Sequence, residues 1–248
     1  MSLLNISILK EKYSLDISKI VHVGAHEGQE VNDYLNNFGD IEINLFEPQE
    51  NIFKNLKSNY GDYKNIYLYN FALGSKLGFS KMYKAENEGQ SSSFLKPKKH
   101  LDEHPEVRFI GELKDVEIKV LDDLNISNID LINIDTQGYE LEVLKGAKNA
   151  LHQIKYILIE VNKDELYEGC PHVKDLDRFL SNYNFIRTDT YFWSDTFSWG
   201  DAFYIKADCI SVSKRYFSHL KNYLYGIDSL YLILIKIRNI IWNIRKYI

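Results

Sequence analysis

The chain reads as an α/β domain: a mostly parallel sheet with helices on both faces. Three observations carry that expectation. Short apolar runs rich in β-branched residues recur at 19–23, 42–46, 65–69, 130–134 and 155–161, and stretches of helical spacing separate most of them. The first run breaks into a turn with two glycines, Gly24 and Gly28, and then gives way to a polar–apolar pattern through Gln29, Val31, Tyr34, Leu35 and Phe38. The second run ends on Glu47-Pro48, where a βαβ unit commonly places an acid against ribose.

Taken in order, residues 19–23, 29–37 and 42–46 form the strand, helix and strand of one βαβ unit, with a right-handed crossover. Ile52, Phe53, Leu56 and Tyr60 place a helix over 49–60. Residues 65–69 are the third strand. The region from Phe79 through Lys81 and Tyr83 is less regular, and a polar loop follows over 86–99. The stretch through His100, His104 and Pro105 to Lys114 has no clear period, and 116–120 looks like a short strand. So long an irregular insertion in a compact domain is more often functional than idle. Residues 130–134 form an apolar strand that ends on Asp135. Thr136-Gln137-Gly138 turns the chain into a helix over 139–148, and 155–161 is the next strand, with Glu160 near its end. A helix over 175–180, a strand over 185–188 and a closing strand over 202–205 complete the domain, which is expected to span 1–208.

Residues 209–248 form a separate tail. Ile233, Ile237, Ile240, Ile241, Ile244 and Ile248 share one helical stripe, with Lys236, Asn239, Asn243 and Lys246 on another face. From Ser211 onward seven basic residues face one acid, so the tail is +6 and the body is −11, against a total of −5. An acidic body argues against a general affinity for nucleic acid. The basic amphipathic helix is expected to pack on its own domain or on a dimer mate, with peripheral membrane contact as the alternative. Cys170 and Cys209 are far apart and outside metal-ligand spacing, which fits reduced thiols in a cytoplasmic protein. No spacing demands a metal.

The glycine pattern Gly24-x-x-x-Gly28 lacks the third small residue of a dinucleotide fingerprint, and Glu27 in the turn would repel a pyrophosphate. A ligand with ribose and adenine, no phosphates and a positive centre suits it better, and S-adenosylmethionine is such a ligand. Glu47 is expected on the ribose; the alternative is a charge at the N-terminus of the helix that follows it.

Several blocks, in order over roughly 17–206, resemble the FkbM family of S-adenosylmethionine-dependent methyltransferases. They are Val23-Gly24-Ala25-His26-Glu27-Gly28, Phe46-Glu47-Pro48, Ala72-Leu73-Gly74, Ser91-Ser92-Ser93, Leu121-Asp122-Asp123, Ile159-Glu160-Val161-Asn162 and Trp199-Gly200-Asp201-Ala202. The most specific is the fourteen-residue run from Ile134-Asp135-Thr136-Gln137-Gly138 to Ala147. The resemblance implies a Rossmann-like class I methyltransferase fold, with a seven-stranded sheet whose last strand is antiparallel. It also implies O-methylation of a hydroxyl on a sugar or glycosylated acceptor. The family's first block often has Asp and Asn where this chain has His22 and His26.

On this reading S-adenosylmethionine lies against His22, Gly24, Ala25, His26, Gly28, Gln29, Glu47, Pro48, Ala72, Ser92 and Asp135. The catalytic candidates are Asp135, Glu160, His100 and His104. A hydroxyl acceptor must lose its proton, and the base belongs at the carboxyl end of the sheet. Asp135 fits as base or as orienter of the acceptor; helix capping and a cofactor contact remain open for it. Glu160 faces the same crevice. An imidazole in the insertion, His100 or His104, titrates near neutrality. The aromatic run from Tyr191 to Trp199 suits sugar stacking or a small satellite core. Two other classes stay in view: a nicotinamide-dependent oxidoreductase on a similar sheet, and a non-catalytic cofactor-binding scaffold.

Overall fold

A computed structural model describes residues 4–194 and 197–223. The elements are α1 (Ile6–Tyr13), β1 (Lys19–Val23), α2 (Val31–Phe38), β2 (Glu42–Phe46), α3 (Glu50–Tyr60), β3 (Ile66–Tyr69), β4 (Ala72–Leu73), β5 (Gly78–Ala85), α4 (His100–Glu103), β6 (Phe109–Lys119), β7 (Leu131–Ile134), α5 (Glu140–Lys145), β8 (Tyr156–Asn162), α6 (Val173–Ser181), β9 (Phe185–Phe192), β10 (Trp199–Lys206) and α7 (Val212–Tyr223).

Seven strands form one sheet in the order β3-β2-β1-β7-β8-β10-β9. The pairs β1–β2, β2–β3, β1–β7 and β7–β8 are parallel, whereas β10 is antiparallel to both its neighbours. The period-two alternation of the strands divides the core into two layers. Val21, Ile132, Ile134, Ile157 and Ile159 face one layer, which α5 and α6 cover with Val143, Leu144, Val173 and Leu176. Ile20, Ile43, Leu45, Leu131 and Leu158 face the other, under Leu9, Val31, Tyr34 and Leu56 of α1, α2 and α3. A stripe of apolar side chains at helical spacing buries itself this way because removing it from water is the main favourable term.

The irregular region is the chief departure from the expected elements. Phe79–Tyr83 belongs to an eight-residue strand, and the short strand over 116–120 is the end of an eleven-residue one. β5 and β6 pair antiparallel, with β4 alongside, as a second three-stranded sheet. Both faces of this ribbon meet solvent over much of its length, with Phe79 and Ile110 exposed, so no buried face imposed an alternation on the sequence. The segment between them turns back over the main sheet. A Tyr83–Ser93 bridge and the bonds from Lys98 N and His100 N to the Leu166 carbonyl hold it there.

Other boundaries move by a few residues. The helix expected over 139–148 is only Glu140–Lys145, because Gly146 passes so close to the Gly74 carbonyl oxygen that a Cβ would stand 2.0 Å from it. The closing strand begins at Trp199 rather than Ala202. α7 packs against β9, and Asn222 Nδ2 donates to the Arg187 carbonyl at 2.9 Å. The isoleucine stripe over 233–248 lies outside the described residues. No described helix is long and apolar enough to cross a membrane.

Candidate active site

A cavity of about 420 Å³ opens at the carboxyl edge of the sheet, where β1, β2, β7 and β8 end. This is where an open α/β sheet presents its loops to a ligand. Of the residues expected at the cofactor, His22, Gly24, His26, Gln29, Glu47, Pro48, Ala72, Ser92 and Asp135 line it, and so do the four catalytic candidates.

Two residues of that set are not among the cavity lining. Ala25 is wholly buried in the layer under α2, with its N–H on the Phe46 carbonyl, and it packs rather than lines. Gly28 does not line the cavity either. Its φ is +83°, and a Cβ there would meet the Tyr60 ring at 2.5 Å, so its missing side chain lets α3 approach the turn. Gly24 is the glycine that serves the cavity: its φ is +82°, and a Cβ would lie 1.8 Å from the Asp135 carbonyl oxygen. Glu27 also points elsewhere. Asn55 Nδ2 donates to it at 2.6 Å on the outer side of the turn, and it does not line the cavity.

The β1–β2 end of the cavity is built around Glu47. Its carboxylate accepts from His26 N at 3.1 Å and from Gln49 N at 2.8 Å. Burial nevertheless pushes its pKa up to about 7, against the lowering influence of those amides and of His26. The His26 ring, on a left-handed backbone (φ 49°), spans the entrance from Gln29 Nε2 (2.8 Å) to the Glu88 carbonyl (2.9 Å). It ties the glycine turn to the loop over the cavity. His22 sits deeper on β1, 3.4 Å from Tyr34 Oη and 3.3 Å from Asn133 Nδ2. Burial lowers its pKa. Ser92 Oγ accepts from Ala85 N at 3.1 Å, which leaves its hydroxyl proton free to donate.

The β7–β8 end holds carboxyl groups side by side. Parallel register pairs Ile134 with Ile159, so the next residues, Asp135 and Glu160, fall opposite each other on one face. Antiparallel register pairs Glu160 with Asp201 of β10 on its other side. Gln137, at φ 55°, uses one amide to donate to Asp135 Oδ1 at 2.8 Å and to Glu160 Oε2 at 2.6 Å. Tyr167 Oη lies 3.0 Å from Gln137 Oε1, and Ser93 Oγ donates to the Gln137 carbonyl at 2.7 Å. Burial, the Asp135 and Glu140 charges, a hydrogen bond with Asp135 and the Asp201 charge together hold the Glu160 carboxyl well above the usual range.

The turn into α5 is capped by Glu140, not by Asp135. Glu140 Oε1 accepts from Thr136 N, Thr136 Oγ1 and Gly138 N at 2.9–3.1 Å, and burial raises its pKa to about 7. That leaves the Asp135 side chain to the cavity. His100 is a weak base. It is buried among Phe109, Tyr167 and His104, and burial, followed by the neighbouring His104, lowers its pKa to about 4. Gln137 and Tyr167 were not foreseen as site residues, because their roles depend on a bridge across two strands. The one local signal was a non-glycine residue, Gln137, in a tight turn ahead of Gly138. No group of three or more His, Cys, Asp or Glu among the described residues is arranged to hold a metal ion.

A doubly wound sheet with a nucleoside-sized cavity at its carboxyl edge and a lone buried acid after the second strand defines a Rossmann-like ligand-binding domain. The chain belongs to the FkbM methyltransferase family: the model described as "Methyltransferase FkbM domain" matches residues 22–187. It is 30% identical over 160 residues to a protein named 2-O-methyltransferase NoeI from Sinorhizobium fredii, an alignment over 60% of this chain and 65% of that protein's length. The structure of methyltransferase FkbM from Methylobacillus flagellatus superposes with a TM-score of 0.52 at 15% identity, over 76% of this chain and 43% of that one. That likeness supports an α/β fold with a mostly parallel sheet flanked by helices.

S-adenosylmethionine is the cofactor that membership of this family implies. The cavity fits it on its own terms. Gly24, held against the Asp135 carbonyl, leaves bare backbone on the cavity wall, Glu47 offers a buried carboxylate where ribose hydroxyls can donate, and the acids suit a positive sulfonium. Membership of a methyltransferase family leaves the oxidoreductase alternative without support.

Proposed function

We propose that the protein transfers a methyl group to a hydroxyl of a sugar or glycosylated acceptor, on a class I methyltransferase fold. The observation that carries this is the Asp135–Gln137–Glu160 arrangement beside Gly24. The name of the Sinorhizobium relative, a 2-O-methyltransferase, supports oxygen as the methylated atom.

The bound cofactor supplies an activated methyl group, so the protein's task is to position the acceptor and take its proton. Asp135 accepts the hydroxyl proton. Glu160, whose carboxyl burial and the neighbouring acids hold well above the usual range, fixes the Asp135 carboxylate against the cavity together with Gln137. A base so placed contributes about 10²–10⁴ in rate. Glu47 receives the ribose hydroxyls, and the glycine turn carries the rest of the nucleoside. The 1–208 segment forms the catalytic domain, and the 209–248 tail packs on it or on a second copy.

Calorimetry with S-adenosylhomocysteine tests the cofactor half of the proposal: one site per chain with micromolar affinity is expected. Transfer of a labelled methyl group to glycan hydroxyls tests the other half. Folded protein that binds no S-adenosylhomocysteine at high micromolar concentration would refute it.

A further inference from the structure

The strap between β5 and β6 is fixed at both ends and fastened along its length by polar groups. Tyr83 bridges Ser93 at one end, and Ala85 pairs with Phe109 at the other. Of residues 96–108 only Pro97 and His100 are buried. A ladder of ion pairs joins the strap to the loop after β8: Lys96 to Glu168 at 3.0 Å, Lys98 to Glu165, and Lys99 to Asp164. Backbone bonds run between the rungs. Lys98 N and His100 N donate to the Leu166 carbonyl, and Glu168 N donates to the Lys96 carbonyl. At the outer edge Glu103 accepts from Ser198 N at 2.8 Å.

Fasteners of this kind release easily. The side chains of Lys96 and Glu168 are 59% and 53% exposed, and the other two lysines are exposed to a similar degree. Ion pairs so open to water contribute little each and are screened by salt. The apolar support beneath is a small cluster of Leu166, Tyr167 and Cys170, separate from the two large layers of the core. Closure also leaves His100 Nδ1 and Trp199 Nε1 buried without partners, which costs stability. A segment with little buried apolar surface opens locally, well before the domain unfolds.

The strap's inner side, with His100, His104, Glu106 and Val107, walls the cavity. Glu47 lies at the other end, under a different loop, which His26 and Gln49 hold by the Glu88 and Gly89 carbonyls. We propose that residues 96–107 are a gate: they lift off the 163–168 loop as a unit to admit the acceptor, while the 86–93 loop stays closed over the cofactor. The opening follows from the fasteners alone. That the acceptor enters there rests on the methyltransferase reading.

Hydrogen exchange read by mass spectrometry on the full chain tests the opening. Amides of 96–104 and 164–168 are expected to exchange together, about tenfold or more faster than those of β1 and β7, and faster again when sodium chloride is raised from about 50 to 500 mM. Lys96→Glu should speed both segments about two- to fivefold, and adding Glu168→Lys should restore the parent rate. S-adenosylhomocysteine should slow exchange over 86–93 and leave 96–104 as it was. Lys96→Cys with Glu168→Cys locks the gate, because the two residues lie opposite each other beside the Pro97–Tyr167 bridge, within disulfide reach. The transfer assay uses labelled S-adenosylmethionine and the methyl glycosides of glucose, galactose, fucose and N-acetylglucosamine. The oxidised form should be about tenfold slower than the form reduced with dithiothreitol, with S-adenosylhomocysteine affinity unchanged. The proposal is overturned if the strap is protected as strongly as β1 and β7, if Lys96→Glu speeds neither segment, if S-adenosylhomocysteine alone slows 96–104, or if the oxidised form transfers as fast as an active reduced one. A reduced protein that neither binds S-adenosylhomocysteine nor transfers methyl would instead count against the methyltransferase reading, and exchange in the parent would still decide the opening.

Discussion

The two ends of the cavity solve the same problem in opposite ways. At the β1–β2 end a single carboxyl group, Glu47, is buried and cushioned by two backbone amides. At the β7–β8 end Asp135, Glu160 and Asp201 lie on adjacent strands, with one glutamine amide shared between the first two. A lone carboxylate with amide donors has lone pairs left to receive hydroxyls, which is a binding device. Neighbouring carboxyl groups cannot all ionise, so their protons are held and exchanged, which is a chemical device. The difference is one of charge density, and it separates holding a ligand from acting on one.

The sharpest way to break that contrast is Asp135→Asn. The amide still accepts from Gln137, so the fold should survive, but it cannot take a proton. Turnover on a neutral glycan acceptor is expected to fall by about 10²–10⁴, with S-adenosylhomocysteine affinity nearly unchanged. Glu160→Gln replaces a carboxyl that burial and its acidic neighbours already push toward the neutral form, and should cost less than tenfold. Initial rates of the two variants side by side decide the matter; equal losses would mean that the two carboxyl groups are not differentiated.

Gly24→Ala strikes the junction of the two ends. The new Cβ would meet the Asp135 carbonyl oxygen at 1.8 Å on a left-handed backbone. A loss of roughly 3 kcal/mol or more in stability is expected, in the range of overpacking combined with backbone strain. Gly39→Ala is the control. It has a similar φ of +77°, with ψ −140°, but nothing within 4 Å, so only backbone strain, about 1–3 kcal/mol, should appear in urea melts. Similar losses at both positions would show that the close approach of β1 to β7 is not what requires Gly24.

Glu47 gives the contrast a pH axis. Its folded pKa of about 7 exceeds the ordinary 4.5, so the unfolded chain loses this proton first. The contribution is fully present below about pH 4.5, and is lost as pH rises through about 7. At roughly 1.4 kcal/mol per pKa unit this is on the order of 3 kcal/mol in the absence of ligand. Glu140 and Glu160 shift in the same direction, so the difference between parent and Glu47→Gln melts isolates Glu47. S-adenosylhomocysteine affinity should run the opposite way, strengthening as pH rises through 7 and the carboxylate forms. Glu47→Gln should lower that affinity about 10–100-fold and flatten its pH dependence, since hydrogen bonds to a charged group contribute about 1.5–3 kcal/mol.

The two ends also differ in how legible they were. The β1–β2 end is local: glycine turn, helix, strand and acid lie within thirty residues, and Glu47 could be placed by counting. The carboxyl row spans β7, β8 and β10, and its members come together only through register. Asp135 and Glu160 were visible as strand-end acids, but Gln137 as their bridge and Tyr167 beneath it were not, because nothing local encodes a contact across thirty residues. The ribbon of β5 and β6 was illegible for a different reason. With both faces largely exposed, its sequence had no need to alternate. Glu27 and Gly28 show the converse failure: correct residue types in the expected turn, pointed outward or spent on packing against α3.

The smallest expected effect tests whether the carboxyl row depends on what lies behind it. Tyr167 is buried, and its hydroxyl stands 3.0 Å from both Gln137 Oε1 and the Ser91 carbonyl. One hydroxyl proton serves one of these acceptors at a time, so Gln137 is oriented by a bond shared with the loop over the cavity. Tyr167→Phe removes that bond and keeps the ring between Leu166 and Cys170. A net hydrogen bond contributes about 1 kcal/mol. If Gln137 then turns away from Asp135 and Glu160 for part of the time, kcat should fall about three- to tenfold, while KM for the acceptor and S-adenosylhomocysteine affinity hold. The pH–rate profile should shift as well, since an unbridged carboxyl pair shares its proton differently. A purely structural tyrosine would lower stability and leave that profile in place. That outcome would reduce the second end of the cavity to Asp135 alone and make the two ends more alike than their register suggests.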